Sequence, residues 1–173
     1  MGQRRARTNR EMTDHAIQPT RPPSHIRATW AGDHRFDTGR VDGPQARIDG
    51  SSETGQSPPD ALLSALAACS GVDVVDILAK RRTPVETLSI DVEGDRRSEA
   101  PRRFERLRLT YHIAGVDIDR VHAERAVNLA FGKYCSVAAS LAPDIVAHTV
   151  VVLNGSVGAP VQQKMSARCS TGP

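Results

Sequence analysis

Apolar and polar positions along the chain follow two periods. Leu88, Ile90 and Val92 alternate with Ser89, Asp91 and Glu93, and Leu107, Leu109, Tyr111 and Ile113 alternate with Arg106, Arg108, Thr110 and His112. Each run has one apolar and one charged face, the pattern of antiparallel strands in a sheet wet on one side. Ile26 to Trp30 alternates in the same way, and 36–40 and 45–49 read as two further short strands around the turn Asp42-Gly43-Pro44. Elsewhere the period lengthens. Ser57-Pro58 is an N-cap followed by proline at the first helical position, and the chain from Pro59 to about Arg82 is apolar on most sides. Such a helix belongs in a core, and Gly71 in its middle marks a bend or a close backbone contact. A second helix is predicted from Arg120 to about Leu141. Its stripe of Val127, Ala130, Phe131, Tyr134, Cys135, Ala138 and Leu141 is spaced by threes and fours; Asp117 or Asp119 caps it and Pro143 stops it. Ile145 to Leu153 is a last strand. The order β-β-β-α-β-β-α-β predicts an α+β fold of mostly antiparallel sheets around two central apolar helices.

The ends lie outside this pattern. Residues 1–22 read as a disordered basic tail, 23–155 as the folded domain and 156–173 as a flexible tail. The net charge of +3 belongs to the first tail: Arg4, Arg5, Arg7, Arg10 and Arg21 stand against Glu11 and Asp14, leaving 18 basic and 18 acidic residues in the remainder. A body without excess charge has no general attraction for phosphate. The pairs Arg81-Arg82, Arg96-Arg97 and Arg102-Arg103 therefore read as a solvated face, and no nucleic-acid partner is expected. No apolar run is read as approaching the ~20 residues of a membrane span, and no apolar segment backs the N-terminal arginines as in a secretory signal. The expectation is a cytoplasmic protein with no membrane partner.

Three cysteines, Cys69, Cys135 and Cys169, are too few and too odd in number for a secreted disulfide framework. Without a C-x-x-C or a tight Cys/His cluster, neither a metal nor another cofactor is expected. His112 and His148 fall in strands, facing each other or solvent. Cys169 sits in the tail as an idle thiol. Cys69 and Cys135 lie near the middles of the two helices. Each alone would fill a small apolar gap, but two apolar helices in one core allow the thiols to approach each other, and a facing pair in a reducing compartment points to reversible redox chemistry.

The stretch from Gln56 to Cys69 (QSPPDALLSALAAC), continuing through DVVDILAK at 73–80, resembles the first-cysteine helix of the OsmC/Ohr family. Arg125-Ala126-Val127 and Lys133-Tyr134-Cys135-Ser136-Val137 resemble the second-cysteine helix of its Tyr-Cys-Ser-Val branch. Val92 to Arg96 and Pro101 to Phe104 resemble the hairpin between them. The likeness runs from about Ala28 to Asn154. It implies an intertwined homodimer that reduces organic hydroperoxides with thiols, in defence against oxidative stress. By the same resemblance Cys69 is the peroxidatic cysteine, Cys135 resolves its sulfenic acid to a disulfide, and a dithiol (lipoyl-type or another small thiol) restores both. Sulfenic acid beside a second thiol is captured before over-oxidation. An apolar pocket, with Leu66, Phe131 and Tyr134 as its candidates, favours a small apolar hydroperoxide over hydrogen peroxide.

A thiol in an apolar helix needs help to ionise. The family supplies an arginine from the N-terminal strands, held by a glutamate ten residues before the first cysteine. Here that position is Pro59. Arg35 and Arg40 are the available cations, Arg35 preferred for its place beside Phe36, and Asp60 or Glu53 are the available carboxylates. A nine-residue gap, however, turns Asp60 about 180° away from Cys69 on a helix. Asp73, one turn after Cys69, would oppose a thiolate if close. The departure at Pro59 keeps open a non-catalytic alternative, a dimer that binds a small apolar ligand or senses oxidants through the cysteine pair.

Overall fold

A computed structural model describes residues 22–165; the expectations for the basic tail and for Cys169 lie outside them. Three strands, β1 (Ile26–Trp30), β2 (Arg35–Arg40) and β3 (Gln45–Asp49), form an antiparallel meander in which Trp30 opposes Phe36 and Phe36 opposes Ile48. Their contact with the rest of the chain runs mainly between β3 and the first helix. Ile26, Trp30 and Phe36 are accordingly exposed.

A loop anchored by Asp49 leads into the first helix. The buried Asp49 carboxylate accepts from the amides of Ser51 and Thr54 (both 2.9 Å) and from Thr54 Oγ1 (2.7 Å). Helix α1 (Pro58–Lys80) starts as predicted: Ser57 Oγ accepts from the Asp60 amide, and its hydroxyl donates to the Asp60 carboxylate at 2.6 Å. At 23 residues α1 is long and apolar enough to cross a membrane by length and composition, which corrects the expectation that no such run exists. In this fold it lies against β4 (Thr87–Arg96). Gly71 is the close-contact point: a Cβ there would sit 3.0 Å from Ile90 Cδ1.

Strand β4 pairs antiparallel with β5 (Phe104–Ala114), which runs parallel to β6 (Val146–Leu153). A parallel pair needs a crossover, and the helical region between β5 and β6 provides it. The apolar face of this sheet (Leu107, Leu109, Tyr111, Ile113, Ala147, Val151, Leu153) and residues of the helices (Leu66, Val74, Leu78, Ala126, Val127) make one core. The opposite face carries Arg106–Asp95, Arg108–Glu93 and His112–Asp91 pairs. His112 and His148 do not oppose one another, since His112 is in register with Val152 and His148 with Arg108.

Two features depart from the sequence reading. Residues 156–165 are not a loose tail: β7 (Ser156–Val157) and β8 (Val161–Gln163) both pair with β6, and Gln163 is buried, with its amide donating to Thr149 Oγ1 (2.8 Å) and Asn128 Oδ1 (2.6 Å). The folded domain therefore extends to at least Met165. The second helix is also discontinuous: α2 (Arg120–Leu129), capped by Asp119, passes into a π-helical turn over Ala130–Tyr134, Cys135 is extended, and α3 (Ser136–Ala139) restarts.

Candidate active site: a cysteine pair at a broken helix

The break in the second helix builds the site. The Cys135 amide reaches back five residues to the Ala130 carbonyl (2.8 Å), and its own backbone turns to φ −63°, ψ 104°. Such π turns recur at functional positions. Restarting a helix frees the amides of its first turn, and here sulfur takes them up. The Ala138 amide donates to Cys135 Sγ at 3.4 Å, while the amides of Val137 and Ser136 serve Cys69. The Ser136 hydroxyl also lies 3.7 Å from Cys69 Sγ. Helix α1 presents Cys69 to this turn half-buried, whereas Cys135 is only 2% exposed.

The two thiols therefore have opposite chemistry. Burial works against the Cys69 thiolate, but the Val137 amide, the Cys135 thiol and the Ser136 hydroxyl and amide outweigh it and hold the group below the ordinary thiol range. Burial pushes Cys135 up to about 11; the Ala138 amide opposes this and the neighbouring Cys69 adds to it. One sulfur is prepared as a nucleophile and the other stays protonated beside it. Beneath them the buried Tyr111 hydroxyl donates to Ser70 Oγ (2.8 Å), which donates to the Leu66 carbonyl (2.9 Å), fixing α1 to β5 one residue from Cys69.

The other expected residues are distributed as follows. Arg35 is half-buried in β2 and engaged locally, with NH2 on Asp33 Oδ2 (2.6 Å) and Nε on the Gly32 carbonyl (3.4 Å). In the single chain no guanidinium is among the described groups that act on Cys69. Asp60 is occupied as the partner of its own cap, and Glu53 faces the Asp49 carboxylate with its amide. Asp73 is raised by burial and by Asp76, and it is not among the groups acting on Cys69. Leu66 lines an apolar cleft of about 320 Å³ beside α1, together with Pro59, Leu62, Phe104, Leu107 and Leu141. Arg96, Arg102 and Arg103 border the same cleft, Arg103 paired with Asp144. Phe131 lies in a separate pocket against Cys135, and Tyr134 is half exposed under Lys133 Nζ. Sequence reading missed the amides of Ser136 and Val137 and the Tyr111–Ser70 bond. Amides carry no sequence signal, and the buried serine in α1 was the only hint of the bond.

A fold of two central helices carrying a facing thiol pair, one ionisable and one buried, defines a class of cysteine-pair α+β protein. Residues 50–149 match the family model of OsmC-like proteins, and the chain belongs to the OsmC/Ohr family. It is 37% identical over 116 residues to the protein YhfA of Escherichia coli, covering 66% of this chain and 87% of that one. Among solved structures it resembles a hypothetical protein of Aquifex aeolicus (TM-score 0.70, 27% identity, 78% and 98% of the two chains). It also resembles an organic hydroperoxide resistance protein of Legionella pneumophila (TM-score 0.53, 15% identity, 76% and 96%), which speaks for the fold alone.

Proposed function

We propose that this protein is a thiol-dependent peroxidase that reduces organic hydroperoxides, working as a homodimer in a reducing compartment. The observation that carries the reading is the division of labour between the sulfurs: amides and a hydroxyl hold Cys69 toward thiolate, and a protonated Cys135 waits within reach. The Cys69 thiolate attacks one peroxide oxygen, the O–O bond breaks, and the departing alkoxide takes a proton and leaves as the alcohol. The sulfenic acid then meets the Cys135 thiol; the S–S bond forms and water leaves. Two electrons have passed to the peroxide, and a thiol reductant returns them. The apolar cleft one turn of α1 from Cys69 suits an alkyl or lipid-like substrate better than hydrogen peroxide.

The dimer is supported by what one chain leaves uncovered. Leu62, Val72 and Val75 are exposed on α1, and Trp30 and Phe36 are exposed on a sheet that stands off the body. A second copy would cover both. A non-catalytic reading, oxidant sensing or apolar-ligand binding, finds its support in Pro59 lining the cleft and in the lack of a guanidinium among the described groups that act on Cys69. Incubation with an alkyl hydroperoxide and a dithiol decides between them. Peroxide loss abolished by Cys69→Ser supports the peroxidase, loss unaffected by it sinks the catalytic assignment, and the absence of turnover in both proteins favours the sensor.

A further inference from the structure

Cys135 borders a second opening that the peroxide chemistry does not use. A pocket of about 150 Å³ is lined by Phe131, Gly132, Lys133, Cys135, Ala138 and Lys164, among others. Cys69 is not part of it, and it is distinct from the apolar cleft at Leu66. Among the described residues two lysines and no acidic side chain line it, and neither lysine is in an ion pair. Strand β8 brings Lys164 there, because buried Gln163 ties the strand to Asn128 and Thr149 just before it. The fold thus places two cationic side chains in the same pocket as a nearly buried sulfur. A cationic pocket against a sulfur selects anions, and one that selects for reaction at that sulfur selects an anionic thiol.

We propose that this pocket admits the reductant, and that the reductant is a small thiol bearing a carboxylate, held by Lys133 and Lys164 while it attacks Cys135. The proposal rests on the Cys69–Cys135 disulfide of the peroxidase reading and names the chemical class of the reductant. The incoming thiolate forms an S–S bond to Cys135 Sγ, the Cys69–Cys135 bond breaks, and its electron pair leaves on Cys69. Attack at Cys135 expels the better leaving group, since amides and a hydroxyl already stabilise a Cys69 thiolate. It also regenerates the nucleophile in its active state. A second thiol, from the same molecule or another, attacks the mixed disulfide, Cys135 takes back a proton, and the reductant departs as a disulfide.

The test uses the full chain in a Cys169→Ser background, oxidised with diamide rather than peroxide, and follows its reduction by dihydrolipoate and by its uncharged amide, dihydrolipoamide. The expected ratio of second-order rates favours dihydrolipoate by about 3–10-fold, the range two exposed charge contacts supply. That ratio falls toward one in Lys133→Ala/Lys164→Ala and at high salt. A ratio near one in the parent, or a preference that survives in the double variant, overturns the proposal. Trapping with the monothiol mercaptosuccinate should leave the adduct on Cys135, and an adduct on Cys69 overturns it too. Because diamide makes the disulfide, a protein that fails to consume hydroperoxide but keeps the charge preference refutes the peroxidase reading alone. Failure of diamide to join Cys69 to Cys135 refutes both.

Discussion

Replacing Ser136 with alanine tests how Cys69 is held as a thiolate. The substitution removes the hydroxyl 3.7 Å from Cys69 Sγ and leaves both backbone amides in place. Hydrogen bonds to charged groups contribute about 1.5–3 kcal/mol, and a long one to a diffuse, half-exposed sulfur falls below that, about 1 kcal/mol. At 1.36 kcal/mol per tenfold this moves the Cys69 ionisation upward, and below the pKa the variant holds about fivefold less thiolate. Nucleophilicity rises with basicity at a Brønsted slope of about 0.4–0.5. The net effect is an exchange rate about two- to threefold slower at low pH and about twofold faster once both thiols are ionised. The assay is the pH profile of exchange with dithiodipyridine in a Cys169→Ser background, read as the initial release of chromophore. The diagnostic is the crossing of the two profiles. Superimposable profiles, or a variant slower at every pH, would falsify the claim that the hydroxyl acts by stabilising the thiolate.

Other consequences can be measured on the folded protein. Tyr111→Phe removes the buried hydroxyl that donates to Ser70 and should cost about 0.5–1.5 kcal/mol in urea unfolding, with little change in m-value; Tyr111→Ala should cost about 3–5 kcal/mol through the cavity it opens. Cys135 is raised from 9.0 to about 11. The unfolded chain therefore loses this proton first, and the stability it contributes is full below pH 9 and drains away as pH climbs toward 11. Cys135→Ala should flatten that part of the stability curve, and an unchanged alkaline slope refutes the assignment. Val72→Glu, at a site 63% exposed in the single chain, should shift the protein to monomer in sedimentation while its circular dichroism is retained; a dimer that persists argues against α1 as the interface.

The sequence displays some of this architecture plainly because the relevant information is local. Alternation at 88–92 and 107–113 fixes both the strands and which face is buried. Ser57-Pro58 fixes the start of α1 because capping is decided within three residues. Pairing is not local. Nothing in the period of 146–153 says that β6 runs parallel to β5, and the short, polar β7 and β8 owe their order to the free edge of β6. The Asp60 carboxylate, a candidate to hold an arginine, is taken up by its own helix cap, a local contact that Ser57-Pro58 already signals.

The break at Cys135 explains why the pair was legible and its chemistry was not. Stripe residues from Val127 to Leu141 are spaced by threes and fours, and a single i to i−5 hydrogen bond at Cys135 hardly disturbs that spacing. A continuous helix would still have kept Cys135 on the apolar stripe, so its place in the core follows from periodicity while its approach to Cys69 does not. It would also have tied up the amides of Ser136, Val137 and Ala138 in its own ladder. Cys69 would then have kept the burial that works against its thiolate and lost two of the donors that outweigh it. Interrupting the ladder at that one residue releases three consecutive donors, two toward Cys69 and one toward Cys135. The backbone thereby supplies much of what a neighbouring cation would supply elsewhere. In this chain a break in the second helix supplies donors that hold Cys69 below the ordinary thiol range.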